Sequence, residues 1–121
     1  MGQKTLGDLI DALEKSKATN VEFSFGATSP TGFISWRGDY SQLSLNWRHD
    51  APPLTRELLL TMAKSAAQGQ PFEGYKGGTY RMNRSTPLWA DRWGRCDHSA
   101  VVGFVEYGDT FIIDTAHEAA W

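Results

Sequence analysis

The chain has 121 residues, 40% of them hydrophobic and 21% charged, a formal net charge of −2 and one cysteine. Those values describe one small domain spanning 1–121 with a modest core. They exclude an internal disulfide and, without a sustained positive field, a broad footprint on duplex nucleic acid or a membrane surface.

Taken in order, the chain first offers Thr5 as a helix cap, with Asp8 three residues on to meet the positive end of the dipole. Leu6, Leu9, Ile10 and Leu13 recur at helical spacing and predict a helix from about Thr5 to Lys17. Val21, Phe23 and Phe25 alternate with polar residues, the period of a half-buried strand ending at Gly26. Phe33 to Trp47 reads as one long strand or as two joined by a bend at Gly38. Ile34 and Trp36 share one face, and Leu43, Leu45 and Trp47 share another. Pro52 and Pro53 make a rigid break. Leu54, Leu58, Leu59 and Met62 then mark one face of a second helix that Gly69 stops near Gln68. Short strands are expected at Thr79 to Met82 and Leu88 to Trp93. Ala100 to Tyr107 and Thr110 to Thr115 form a hairpin around Gly108-Asp109. The sum is an α+β domain with two helices and a mainly antiparallel sheet.

The start MGQKTLGDLI lacks an apolar run long enough for a signal peptide, and no stretch could cross a bilayer, so a cytoplasmic protein is the expectation. Charge, however, is unevenly placed. From Lys76 to Arg95 the chain holds five cations (Lys76, Arg81, Arg84, Arg92, Arg95) against the single acid Asp91, whereas Cys96 to Trp121 holds five acids and no cation. Tyr75, Tyr80, Trp89 and Trp93 are interleaved with the basic run, and glycines let a backbone approach a bound group. Cations for phosphate and rings for bases are the composition of a nucleotide site.

Each part of that run also has a plain structural reading. A strand arginine usually points to solvent and covers apolar surface with its stem. Trp89 and Trp93, four apart on an extended strand, share a face with Asp91, while Leu88, Ala90 and Arg92 look the other way. Such a face would stack a purine or serve as a subunit interface. His49, His98 and His117 lie far apart, and Cys96 is the one soft ligand near any of them, so no metal site is expected. Asp97-His98-Ser99 has the residue types of a catalytic triad, but chain neighbours do not converge in space. Gly74-Tyr75-Lys76-Gly77-Gly78 is not a P-loop.

Several blocks together resemble a known family. They are Thr5-Leu6-Gly7-Asp8-Leu9-Ile10, Ser35-Trp36-Arg37-Gly38-Asp39-Tyr40 with Leu43, Gly74 to Gly78 with Tyr80 and Met82, and Thr86-Pro87-Leu88-Trp89. The resemblance is to phage anti-defence proteins of the first-described Thoeris type, and it runs over most of the chain. It implies a homo-oligomer, a hexamer, that binds glyco-cyclic ADP-ribose signals and releases them unaltered, without cofactor or catalytic residue. Some relatives also hold cyclic oligonucleotides of CBASS defence. The matching motif positions are Trp36, Arg37, Gly38, Tyr40, Tyr75, Lys76, Gly77 and Gly78, and Trp89 and Asp91 also fall at family-like positions. Many members carry a second aromatic where this chain has Asp39, and an asparagine near Asp91; an acid there either turns toward a base or ribose or marks a changed specificity.

The expected site therefore comprises Arg37, Lys76, Arg92 and Arg95 as phosphate clamps. Trp36, Tyr40, Tyr75, Trp89 and Trp93 are expected as stacking rings or pocket walls, with Asp91 toward a base or ribose. Two alternatives stand beside it. One is an enzyme opening the same signals with His98 or His117 as acid or base. The other is an interaction protein that docks on a host or virion protein through a tryptophan-rich surface.

Overall fold

A computed structural model of the chain describes residues 2–26, 28–48, 52–74, 76–92 and 99–117, with Arg92 described by its backbone alone. Helix α1 (Leu6–Lys15) begins as its sequence predicts. The Thr5 hydroxyl accepts from the Asp8 N–H at 3.2 Å, and Asp8 Oδ2 accepts in return from the Thr5 N–H at 2.9 Å. This reciprocal box satisfies two of the helix's otherwise orphaned donors. Leu6, Leu9, Ile10 and Leu13 are buried on one stripe. Gly7 lies on the same helix, and a β-carbon there would come within 2.9 Å of the Arg84 carbonyl oxygen, so only glycine allows this approach.

Among the described residues there are eight strands in two sheets: β1 (Asn20–Phe23), β2 (Pro30–Ser35), β3 (Leu43–Trp47), β4 (Pro71–Glu73), β5 (Thr79–Arg81), β6 (Leu88–Arg92), β7 (Ser99–Tyr107) and β8 (Thr110–His117). The large sheet has the order β1-β8-β7-β6-β3-β2, and β4 with β5 forms a small hairpin. Pairs β2/β3, β6/β7 and β7/β8 are antiparallel, while β1/β8 and β3/β6 are parallel. The mainly antiparallel α+β reading holds; the parallel pairs follow from chain crossovers that residue patterns do not encode. In a flat sheet β1 and β2 would lie five spacings, about 24 Å, apart. Yet the Phe23 N–H donates to the Thr28 carbonyl at 2.9 Å and the Ser29 hydroxyl reaches the Val21 carbonyl, so the sheet curls until its edges approach.

Helix α2 (Arg56–Ala67) is capped by the Thr55 hydroxyl, which accepts from the Leu58 N–H at 3.2 Å, and stops before Gly69 at φ +98°. The expected apolar face needs correction. Leu58 is 50% exposed, and the buried row is Leu59, Ala63 and Ala66 at the i, i+4, i+7 spacing. Phe25 likewise lies outside the strand it was expected to extend. It is 46% exposed in a turn, stacked on Phe23 at 4.8 Å. The β7–β8 hairpin turns at Gly108 with φ +60° and no positive φ at Asp109, the sign pattern of a II′ turn.

Both helices share one core with the large sheet. Leu43, Leu45, Leu88, Ala90, Val101, Phe111 and Ile113 meet the α1 stripe and Leu59, Ala63 and Ala66 of α2. Strand alternation sends Ser44, Asn46, Trp89 and Asp91 to the opposite face, where Ser44 pairs with Trp89 and Asn46 with Asp91. Among the described residues no helix is long and apolar enough to cross a membrane.

Candidate ligand site where two turns meet

The turn that joins β2 to β3, residues 36–42, is the first part of the site. Trp36 N–H donates to the Gln42 carbonyl at 2.8 Å, Asp39 N–H to the Trp36 carbonyl at 3.2 Å, and Gln42 N–H to the Asp39 carbonyl at 2.9 Å. Asp39 turns its carboxylate inward. Its Oδ1 accepts from the Ser41 N–H at 3.0 Å and the Ser41 hydroxyl at 2.7 Å, and Oδ2 accepts from Gln42 Nε2 at 3.2 Å. The Ser41 hydroxyl, then the Ser41 N–H, hold the Asp39 pKa below the ordinary 3.8. The Asp39 carboxylate is therefore engaged within its own turn.

Trp36 folds back over Gly38, where an added β-carbon would lie 2.5 Å from the indole. The Trp36 ring stacks on Trp89 at 3.7 Å between centroids and 6° between planes, and each is 3% exposed. Trp89 Nε1 donates to Gln42 Oε1 at 2.7 Å, tying β6 to the turn. Gln42 thus accepts from an indole and donates to Asp39, a linking role that no motif in the sequence announces.

The second part is the β4–β5 hairpin turn, residues 74–78. Gly74 N–H donates to the Gly78 carbonyl and Gly77 N–H to the Gly74 carbonyl, both at 3.0 Å. Gly77 and Gly78 take φ +99° and +85°, values that L side chains rarely adopt. Tyr40 of the first turn meets Tyr80 of β5 edge to face at 5.7 Å, and a β-carbon on Gly74 would strike Tyr40, Tyr80 and the Gly77 carbonyl at 2.8–2.9 Å. Two sequence blocks more than thirty residues apart are thus packed against each other through Tyr40.

The expected residues divide accordingly. Trp36, Tyr40 and Trp89 gather around the turns, with Arg37 half-exposed on the first and Lys76 exposed on the second. Among the described residues Lys76 has no ion-pair partner. Trp36 and Trp89 occupy each other's faces, so their part in a site is that of a wall and not of an open stacking platform. Asp91 is completely buried, across from Asn46. Arg92 pairs through its backbone with Trp47. Tyr75, Trp93 and Arg95 lie outside the described residues, as do His49, Cys96 and His98.

Two other cations of the basic run have structural duties. Arg81 Nη1 donates to the Gly69 carbonyl at 2.6 Å, closing the end of α2. Arg84 Nη2 reaches both Asp11 oxygens at 2.8 and 2.9 Å and the Gly7 carbonyl at 3.3 Å, which ties the 82–87 segment to α1. Comparison of the chain with protein-family models, with curated proteins and with solved structures finds no match in any of the three.

Proposed function

We propose that this protein binds and sequesters a cyclic nucleotide immune signal, glyco-cyclic ADP-ribose or a cyclic oligonucleotide, at the surface where the 36–42 and 74–78 turns meet. It releases the signal unaltered and acts as a homo-oligomer. The observation that carries this reading is the packing of Tyr40 against Tyr80 and Gly74, which makes one surface of two turns that each bear a cation. Arg37 offers a planar fork for phosphate oxygens and Lys76 a point charge. The closed hydrogen bonds of both turns order the surface before a ligand arrives, which lowers the entropy cost of binding. The resemblance of the same blocks to the phage anti-defence family supports the choice of ligand class.

The test mixes purified protein with glyco-cyclic ADP-ribose and with cyclic di- and trinucleotides, and chromatographs the filtrate and the supernatant after heating. A signal missing from the filtrate and recovered intact is the expected result. Recovery in altered form means an enzyme, and a signal left wholly in the filtrate ends the nucleotide reading. Arg37→Ala and Lys76→Ala are each expected to weaken binding about tenfold or more by calorimetry, and Lys76→Ala to leave the melting temperature unchanged. A docking function through a tryptophan-rich surface has less support, because Trp36 and Trp89 are buried in their own stack.

A further inference from the structure

The β7–β8 hairpin runs on past the strand beside it. Among the described residues β6 meets β7 at Trp89 and Ala100 alone, and the Lys4 N–H takes the Val101 carbonyl at 2.7 Å. A bulge between Val101 and Gly103 follows, and from Gly103 to Tyr107 β7 pairs with β8 on one side only. The Gly108-Asp109 turn makes Tyr107 and Thr110 a hydrogen-bonded pair. By alternation Val105 and Gly103 also bond across to β8, while Phe104 and Glu106 direct their N–H and C=O groups the other way. Among the described residues nothing bonds to those groups. The Phe104 and Glu106 side chains stay on the helix-covered face, where the Phe104 ring stacks on Phe111 at 5.6 Å and the Glu106 carboxylate accepts from the Ser16 hydroxyl. Val105 and Tyr107 lie on the helix-free face, 56% and 78% exposed. Natural sheet edges are commonly blunted by lysine or proline, and Gly103 to Tyr107 contains neither.

We infer that this edge pairs with the same edge of a second copy of the chain, antiparallel, about a two-fold axis at Val105. Open donors and acceptors in strand register are completed by another strand, and the residues along the edge say whose. Centred on Val105, every residue from Gly103 to Tyr107 finds a partner, and Phe104 and Glu106 exchange N–H and C=O with the partner's Glu106 and the partner's Phe104. Val105 meets the partner's Val105, apolar on apolar. Tyr107 lies over the partner's Gly103. The space there is open, since the nearest atom to an added β-carbon on Gly103 is Asp114 Cβ at 3.9 Å, and a ring over a strand glycine is a stabilising cross-strand pair. Other registers fit worse. An axis at Glu106 sets two carboxylates opposite each other, and an axis at Phe104 drives the pairing onto the bulge and the Val101 carbonyl that Lys4 already occupies. An edge this short supports weak, reversible association. The inference gives the self-association proposed above a surface, and it does not rest on the nucleotide reading.

The test places Val105→Cys in the full chain together with Cys96→Ser, so that the native thiol does not compete. Directly opposed residues of a non-hydrogen-bonded pair have α-carbons about 4.5 Å apart, within disulfide reach, and mild oxidation is expected to give a linked dimer. Tyr107→Cys in the same background is the control. Its position is the more exposed of the two, yet it stands about 14 Å along the strand from its own counterpart, and it is expected to stay unlinked. Val105→Lys, which sets two ammonium groups face to face at an exposed position, is expected to weaken self-association about tenfold or more by sedimentation, with the far-ultraviolet spectrum unchanged. A Val105→Cys chain that stays monomeric under oxidation overturns the inference and leaves the edge to some other chain. So does equal linking of the two cysteine variants, or self-association unmoved in Val105→Lys. A linked Val105→Cys dimer that leaves every nucleotide in the filtrate upholds this pairing and ends the nucleotide reading.

Discussion

The two faces of the large sheet are built on different principles. The helix-covered face is an apolar row, Leu43, Leu45, Leu88 and Ala90, closed by α1 and α2, and its order comes from close packing. On the helix-free face Ser44, Asn46 and Asp91 are buried beside the Trp36–Trp89 stack. That stack is linked by one indole N–H to Gln42 and so to the 36–42 turn. Truncation on the first face leaves a cavity and little else. On the second it also releases the 36–42 turn, because one indole both fills space and anchors the turn that carries Arg37 and Tyr40.

The largest expected effects sharpen this contrast. Leu45→Ala should cost about 2–5 kcal/mol and Trp89→Ala about 3–5 kcal/mol in denaturant unfolding. Trp89→Phe keeps a ring on Trp36 but loses the donor to Gln42. It should lose nucleotide affinity out of proportion to stability, whereas a mild helix-face variant such as Ile113→Val should leave affinity alone. If Trp89→Phe binds like the wild type, the indole is filler and the two faces do not differ in kind. A step smaller, Gly38→Ala forces a methyl group to within 2.5 Å of the Trp36 ring and should cost about 1–3 kcal/mol. Gly103→Ala is its control, because the nearest atom to an added β-carbon there is 3.9 Å away, and a change within about 0.5 kcal/mol is expected.

The same division explains what the sequence disclosed. Local rules produced the Thr5–Asp8 box, the α1 stripe, the Gly108 turn and the alternation that separates Trp89 and Asp91 from Leu88 and Ala90, since each depends on neighbours a few residues away. The motif blocks around Arg37 and Lys76 were legible as blocks. Their meeting through Tyr40 was not, because it depends on how β4 and β5 pack against a distant turn. The charge of the basic run did not say which cations are structural: Arg81 and Arg84 satisfy the Gly69 carbonyl just past α2, the Gly7 carbonyl of α1 and the Asp11 carboxylate. A cation's partner is a tertiary fact.

The smallest expected effect concerns Asp39, where the helix-free face reaches its turn. Its folded pKa lies below the ordinary 3.8 because the Ser41 hydroxyl and N–H bond to the charged form. A depressed folded pKa means that the unfolded chain takes up the proton first as pH falls. The stabilisation is therefore fully present above the unfolded pKa and is lost as pH drops through the folded one. Solvent exposure keeps its size small. Asp39→Asn removes the titration, so the difference in melting temperature between wild type and variant should narrow as pH falls from about 5 toward 3 and below. A difference that stays constant over that range would mean that the carboxylate's charge does not hold the turn, and the hydrogen bonds among Trp36, Asp39 and Gln42 backbones would then have to order Arg37 unaided.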